Sequence, residues 1–137
     1  MSRGDRGVRL IVADDHRAFR SSVTAALRDT AIDIVAVLGD GATALDAART
    51  LRPDVALLDL KMPRLSGAEV ARRLREEGNP AKVIILSGHS EPQIVEAALE
   101  AGAVAFLSKE ATTVEIIEAI ERCAYLPDFP DRDAGEL

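Results

Sequence analysis

The chain has 137 residues, 47% hydrophobic and 29% charged, enough for one domain with a full core and no staples. Its single cysteine, Cys123, excludes an internal disulfide framework, and no apolar run approaches the ~18 residues of a membrane span, so the sequence reads as cytoplasmic. A net charge of −6 and only four aromatics (Phe19, Phe106, Tyr125 and Phe129) argue against nucleic-acid binding by this chain alone.

Residues 1–7 read as a flexible arm. The run from Val8 to Ala13 (VRLIVA) is short, rich in β-branched residues and nearly continuous, as expected of a strand covered on both faces. Phe19, Val23, Ala26 and Leu27 then follow helical spacing. A second strand is expected from Ile32 to Leu38, and a third from Val55 to Leu58 after the Pro53-Asp54 break. Ser66 with Glu69 three residues on resembles a capping box, and Val70 and Leu74 give the next helix its apolar face. Gly78 marks that helix's end, and Asn79-Pro80 precedes a fourth strand from Val83 to Leu86. Val95 and Leu99 repeat the helical face, and Gly102 closes it before a fifth strand from Val104 to Leu107. Val114, Ile117, Ile120 and Ala124 define the last helix, whose apolar stripe, widened by Ile116, serves either the core or a partner. Residues 126–137 hold two of the chain's prolines and many charges, and read as a tail or the start of a linker. Five strands and five helices in strict alternation predict an α/β domain over residues 8–125, with one mostly parallel sheet and right-handed crossovers.

Ligands of such a sheet sit outside the carboxyl ends of its strands. The first strand ends in Asp14-Asp15, the third in Asp59, the fourth in Ser87, and the fifth runs into Lys109. If the first and third strands are neighbours, the three carboxylates lie within ~5 Å, where each like-charge pair costs about 3 kcal/mol at an effective dielectric near 20. Such a cluster takes up a proton or a cation, and hard oxygen donors suit Mg²⁺. Lys109 and Ser87 add an ammonium and a hydroxyl, completing an anion site of the kind phosphoryl transfer uses. Asp59, at the open edge beside the loop from Leu60 to Ser66, is the natural nucleophile, and its attack on phosphorus gives an aspartyl phosphate.

In this order, Asp14-Asp15, the run Asp59-Leu60-Lys61-Met62-Pro63 with Ser66-Gly67, Ser87 and Lys109 resemble the receiver domain of two-component response regulators. The resemblance covers about residues 8–125. It implies a flavodoxin-like (βα)5 doubly wound sheet of order 2-1-3-4-5. It implies phosphorylation of Asp59 by a sensor histidine kinase, with Mg²⁺ held directly by Asp15, Asp59 and the Lys61 carbonyl, and by Asp14 largely through water. Ser87 and Lys109 would hold the phosphoryl oxygens, and Phe106 falls where the family places a switch aromatic. The family is a phosphoacceptor that catalyses its own phosphorylation and dephosphorylation rather than a metabolic enzyme. Asp14-Asp15-His16 and Lys109-Glu110 lean toward the branch with a LuxR-type helix-turn-helix output domain, which implies transcription control through DNA, and homodimerisation on phosphorylation. Glu110 stands where many members have proline, so no cis peptide is expected there.

Other readings compete. A stand-alone receiver acting through protein contacts fits the same residues. Gly39-Asp40-Gly41-Ala42-Thr43-Ala44 matches the G-x-G-x-x-A of a nucleotide-binding Rossmann-like domain, but on the second strand, where a turn is the simpler role. An aspartate-nucleophile phosphatase would need an acid at the Lys61 position. His16 and His89 read as solvent-facing loop residues, with Lys61 and His89 flanking the site. Cys123 has no expected redox task.

Overall fold

β-branched and leucine-rich runs become strands where their neighbours can cover them. In the computed structural model, which describes residues 7–127, these are β1 (Val8–Ala13), β2 (Ile32–Leu38), β3 (Val55–Asp59), β4 (Lys82–Ser87) and β5 (Ala105–Ser108). The intervening helices are α1 (Arg17–Leu27), α2 (Gly41–Leu51), α3 (Gly67–Glu76), α4 (Pro92–Glu100) and α5 (Thr113–Ala124). All strand pairs are parallel, in the order β2-β1-β3-β4-β5. This is the predicted flavodoxin-like order, and the order in which strands are added reverses between β1 and β3. The arm expected over residues 1–7 and the tail over 126–137 lie outside the described residues, except for Gly7, Leu126 and Pro127.

Period-two alternation sends Leu10, Val12, Val55, Leu57, Ile84 and Leu86 to the face covered by α1 and α5. Ile11, Ala13, Ala56, Leu58, Val83 and Ile85 face α2, α3 and α4. The three inner strands are buried almost throughout, whereas β2 leaves Val37 43% exposed and β5 is half-buried along its length. A continuous apolar run therefore marks a strand here without marking how completely it is covered.

Two helices present faces other than the expected ones. In α4 the buried residue is Ala98, Ile94 and Val95 are half-buried, and Leu99 is exposed. In α5 Val114 is exposed, and the core side is made by Ile116, Ala119, Ile120, Cys123 and Ala124, with Ile117 half-buried.

Helix starts follow the side-chain chemistry. Asp40 caps α2 by accepting from Thr43 N–H (2.8 Å), and Ser66 caps α3 by accepting from Glu69 N–H (3.0 Å). Glu69 turns its carboxylate to Arg72 and Arg73 rather than back to the cap, so this box is half formed. A complete box stands at α5, between Thr112 and Glu115. Gly78 and Gly102, with φ of 74° and 122°, follow α3 and α4 as their C-terminal signals require.

The glycine-rich run after β2 makes a turn. A Cβ at Gly41 would sit 2.0 Å from the Leu65 carbonyl oxygen and 2.7 Å from the Leu65 Cβ, so the bare backbone lets α2 start against the loop after β3. Gly41→Ala is expected to destabilise the fold by about 1–3 kcal/mol through that overlap. Urea unfolding checks this, and an unchanged midpoint would mean that the loop yields freely.

Candidate functional site

The carboxyl ends of β1, β3, β4 and β5 converge because four neighbouring parallel strands end at one rim. Asp14 follows β1, held by its own N–H to the Leu38 carbonyl (3.1 Å). Asp59 closes β3, and Ser87 closes β4. Lys109 follows β5, its N–H bonded to the Ser87 carbonyl (2.9 Å). The loop after Asp59 is pinned at both ends, by Leu60 N–H to the Leu86 carbonyl and Gly67 N–H to the Leu60 carbonyl (2.8 Å each).

Lys109 Nζ lies 2.7 Å from Asp14 Oδ2 and 3.1 Å from Asp59 Oδ2. It also stands 5.1 Å from the centre of the Phe19 ring, a cation–π contact. Asp14 is wholly buried and Asp59 is 4% exposed. Asp14 Oδ2 accepts no aligned hydrogen bond among the described residues; the Lys109 ammonium serves it as an ion pair.

Burial and the neighbouring Asp14 push the Asp59 carboxyl above its ordinary value, while Lys109 and the Lys61 N–H hold the rise back. Burial pulls the Lys109 ammonium down, but Asp14 and Asp59 outweigh it, and the net direction is up. The ammonium therefore stays charged beside a carboxylate whose charge is costly.

Ligand atoms from Asp14, Asp15, His16 and Asp59 all lie within 4.8 Å of one another. Three carboxylates against one ammonium leave two negative charges, which a divalent cation balances. Oxygen donors with few protein ligands suit Mg²⁺. The residues present fit the ion.

Asp59, Lys61, Ser87, Gly88, His89, Lys109 and His16 line one concavity. The residues singled out in the sequence thus meet, with Asp14 beneath and Asp15 at the edge. Ser87 Oγ accepts from His89 N–H (3.0 Å). Phe106 stands apart, half-buried against the α2–α4 side of the core. Its strand partner is Ile85, so Phe106 and Ser87 share a face of the sheet two residues apart. The Lys109–Glu110 peptide is trans.

Two contributors escaped the sequence. His16, though exposed, sets its Nδ1 3.1 Å from Asp14 Oδ1 and 3.2 Å from Asp15 Oδ1. Phe19, legible only as core, floors the Lys109 ammonium. Adjacency of His16 to the acidic pair was the available signal for the first; nothing local marks the second.

Residues 10–121 match the family model of the response regulator receiver domain. The chain is 44% identical over 118 residues to "Probable transcriptional regulatory protein NarL" of Mycobacterium tuberculosis, covering 85% of this chain and 55% of that protein. It thus spans about half the length of this curated relative. Among solved structures, the signal receiver domain of NarL from Mycobacterium tuberculosis superposes with a TM-score of 0.85 at 43% identity, covering 87% of this chain and 97% of that one. A DNA-binding response regulator of the LuxR family from Staphylococcus aureus gives 0.81 at 27% identity, over 85% of this chain and 98% of that one.

Proposed function

This chain belongs to the response regulator receiver domain family of two-component signalling, and we propose that Asp59 is the residue on which it is phosphorylated. The observation that carries this is the position of Lys109 Nζ between Asp14 and Asp59, with Ser87 on the same concavity. A partly buried ammonium at a nucleophilic carboxylate stabilises the charge that gathers on a transferring phosphoryl group.

One Asp59 carboxylate oxygen forms a bond to phosphorus as the P–N bond of a phosphohistidine donor breaks, and the electron pair leaves with the imidazole nitrogen. The donor is a sensor histidine kinase. Asp15, Asp59 and the Lys61 carbonyl would hold Mg²⁺, with Asp14 largely through water, and the ion would supply charge neutralisation for the phosphoryl oxygens. Lys109 and the Ser87 hydroxyl hold those oxygens. Lys61 and His89, on the same concavity, set how fast water removes the phosphoryl group from Asp59.

The relay follows from the sheet. Ser87 turning toward the new phosphoryl group gives up its bond from His89 N–H and opens space on the face that Phe106 shares. That biases β4, β5 and the helices beside them between two arrangements. Exposed Leu99 on α4, Val114 on α5 and Tyr125 just after α5 offer apolar contacts for a second copy. Residues 8–125 form the receiver unit, and the segment 126–137 leads toward a DNA-binding output domain that controls transcription. No helix among the described residues is long and apolar enough to cross a membrane.

Incubation with acetyl phosphate and Mg²⁺ is expected to add one phosphoryl group by intact mass, and a chelator is expected to prevent it. Equal labelling with and without chelator would remove the cation from the scheme; no labelling in either would remove Asp59 as a competent acceptor.

A further inference from the structure

Nδ1 of His16 has three neighbours: Asp14 Oδ1 at 3.1 Å, Asp15 Oδ1 at 3.2 Å and Lys109 Nζ at 3.3 Å. No single tautomer satisfies them. An ionised carboxylate oxygen only accepts, so it needs a proton on Nδ1; an ammonium only donates, so it needs the lone pair there. A divalent cation within reach of these atoms removes the conflict with the carboxylates, because the imidazole lone pair and the carboxylate oxygens then all donate to it.

The spacing agrees. Donor atoms at adjacent corners of an octahedral ion with bonds of ~2.1 Å stand about 3.0 Å apart. The separations of 3.1 and 3.2 Å from Nδ1 to the two carboxylate oxygens are close to that value. The backbone beneath the ring is fixed, with His16 N–H donating to Asp14 Oδ1 at 2.8 Å. The ring itself is spare: His16 begins α1, yet its side chain makes no capping bond and is 68% exposed. Turning onto an ion therefore costs little packing. His89, the other imidazole at the rim, is outside the 4.8 Å cluster and lies 3.8 Å from Glu91.

We propose that His16 is a nitrogen ligand of the acidic metal site, and that it tilts the site toward borderline first-row ions such as Ni²⁺ and Zn²⁺. The proposal rests on the cation site assigned above to Asp14, Asp15 and Asp59. Imidazole suits these borderline ions, whereas Mg²⁺ keeps oxygen ligands and water. The same pocket then serves Mg²⁺ in phosphoryl transfer and answers to the supply of a competing metal.

Two measurements test it on the full chain. Pulsed electron paramagnetic resonance of the Cu²⁺-loaded protein reads bound imidazole ¹⁴N, Cu²⁺ being a borderline ion that imidazole suits. Calorimetry with Mg²⁺ and with Ni²⁺ reads affinity. Nitrogen modulation is expected in the wild type and absent in His16→Ala and His16→Gln. Ni²⁺ affinity falls about tenfold or more in both variants, and Mg²⁺ affinity changes less than about twofold. Cu²⁺ bound without nitrogen modulation, or modulation that survives in both variants, overturns the role of His16 and leaves the carboxylate site standing. Failure of the wild type to bind Mg²⁺ or Cu²⁺ overturns the carboxylate site itself, and His16 with it.

Discussion

Asp59→Asn is expected to abolish labelling by acetyl phosphate and, in the same protein without divalent cation, to raise Tm by a few degrees. The first effect follows from chemistry, since an amide has no anionic oxygen to attack phosphorus. The second follows from the electrostatics of the ground state. Asp59 is 4% exposed and faces Asp14, and burial and Asp14 together raise its carboxyl pKa despite Lys109. A carboxyl raised on folding gives stability that is complete below its unfolded pKa of ~3.9 and lost as pH rises through the folded value. At neutral pH the native protein has incurred that loss, and neutral asparagine avoids it. Lys109 keeps Asp14 at 2.7 Å after the change, so no charge is orphaned. For a domain of this size each 1 kcal/mol is worth roughly 3–6 °C. The advantage of the variant narrows as pH is lowered toward the ordinary carboxylate range. Thermal melts from pH 4 to 8 with chelator, beside intact-mass labelling, give both readouts. Retained labelling would place the acceptor elsewhere, and an unchanged Tm at every pH would mean that Lys109 already cancels the repulsion.

The meeting of buried carboxylates with one ammonium was legible before any coordinates, because it is written at strand ends. Four of the five apolar runs lead into a polar residue, and a parallel sheet gathers such ends at one rim, so the meeting of Asp14, Asp59, Ser87 and Lys109 followed from topology alone. What escaped was decided by packing between distant elements. In α4 two apolar pairs overlap at helical spacing, Ile94 with Ala98 and Val95 with Leu99. The small Ala98 is the one buried against the core, and periodicity could not choose between them. Val114 fits the apolar period of α5, yet it lies in the first turn, and the core contacts begin with Ile116. The half-formed box at Ser66 reflects competition, since Arg72 and Arg73 take the Glu69 carboxylate that the motif assigns to the cap. The direction of the His16 ring likewise depends on Lys109, 93 residues away.

Lys109→Ala is expected to cost the metal-free protein about 3 kcal/mol, near the bottom of the range for breaking a buried ion pair because the lysine keeps 19% of its side chain exposed. At roughly 3–6 °C per kcal/mol, Tm falls by about 10–15 °C. The cause is the pair of carboxylates left behind, Asp14 wholly buried and Asp59 nearly so, with no cation between them. Two further results separate this from lost packing over Phe19. Saturating Mg²⁺ restores most of the stability, because a divalent ion replaces the missing positive charge. Lowering the pH also restores it: with the ammonium gone, the group that held the Asp59 pKa back is gone, so Asp59 takes up a proton sooner as pH falls. Lys109→Met, which keeps an apolar stem over the ring, behaves like the alanine variant if charge dominates and like the wild type if packing does. In both variants Asp59 still accepts a phosphoryl group with Mg²⁺ present, but the anion lacks its ammonium partner across the rim. Backbone amide shifts at Ser87 and Phe106 on phosphorylation then fall well below those of the wild type. Full-sized shifts would show that the switch is driven without Lys109.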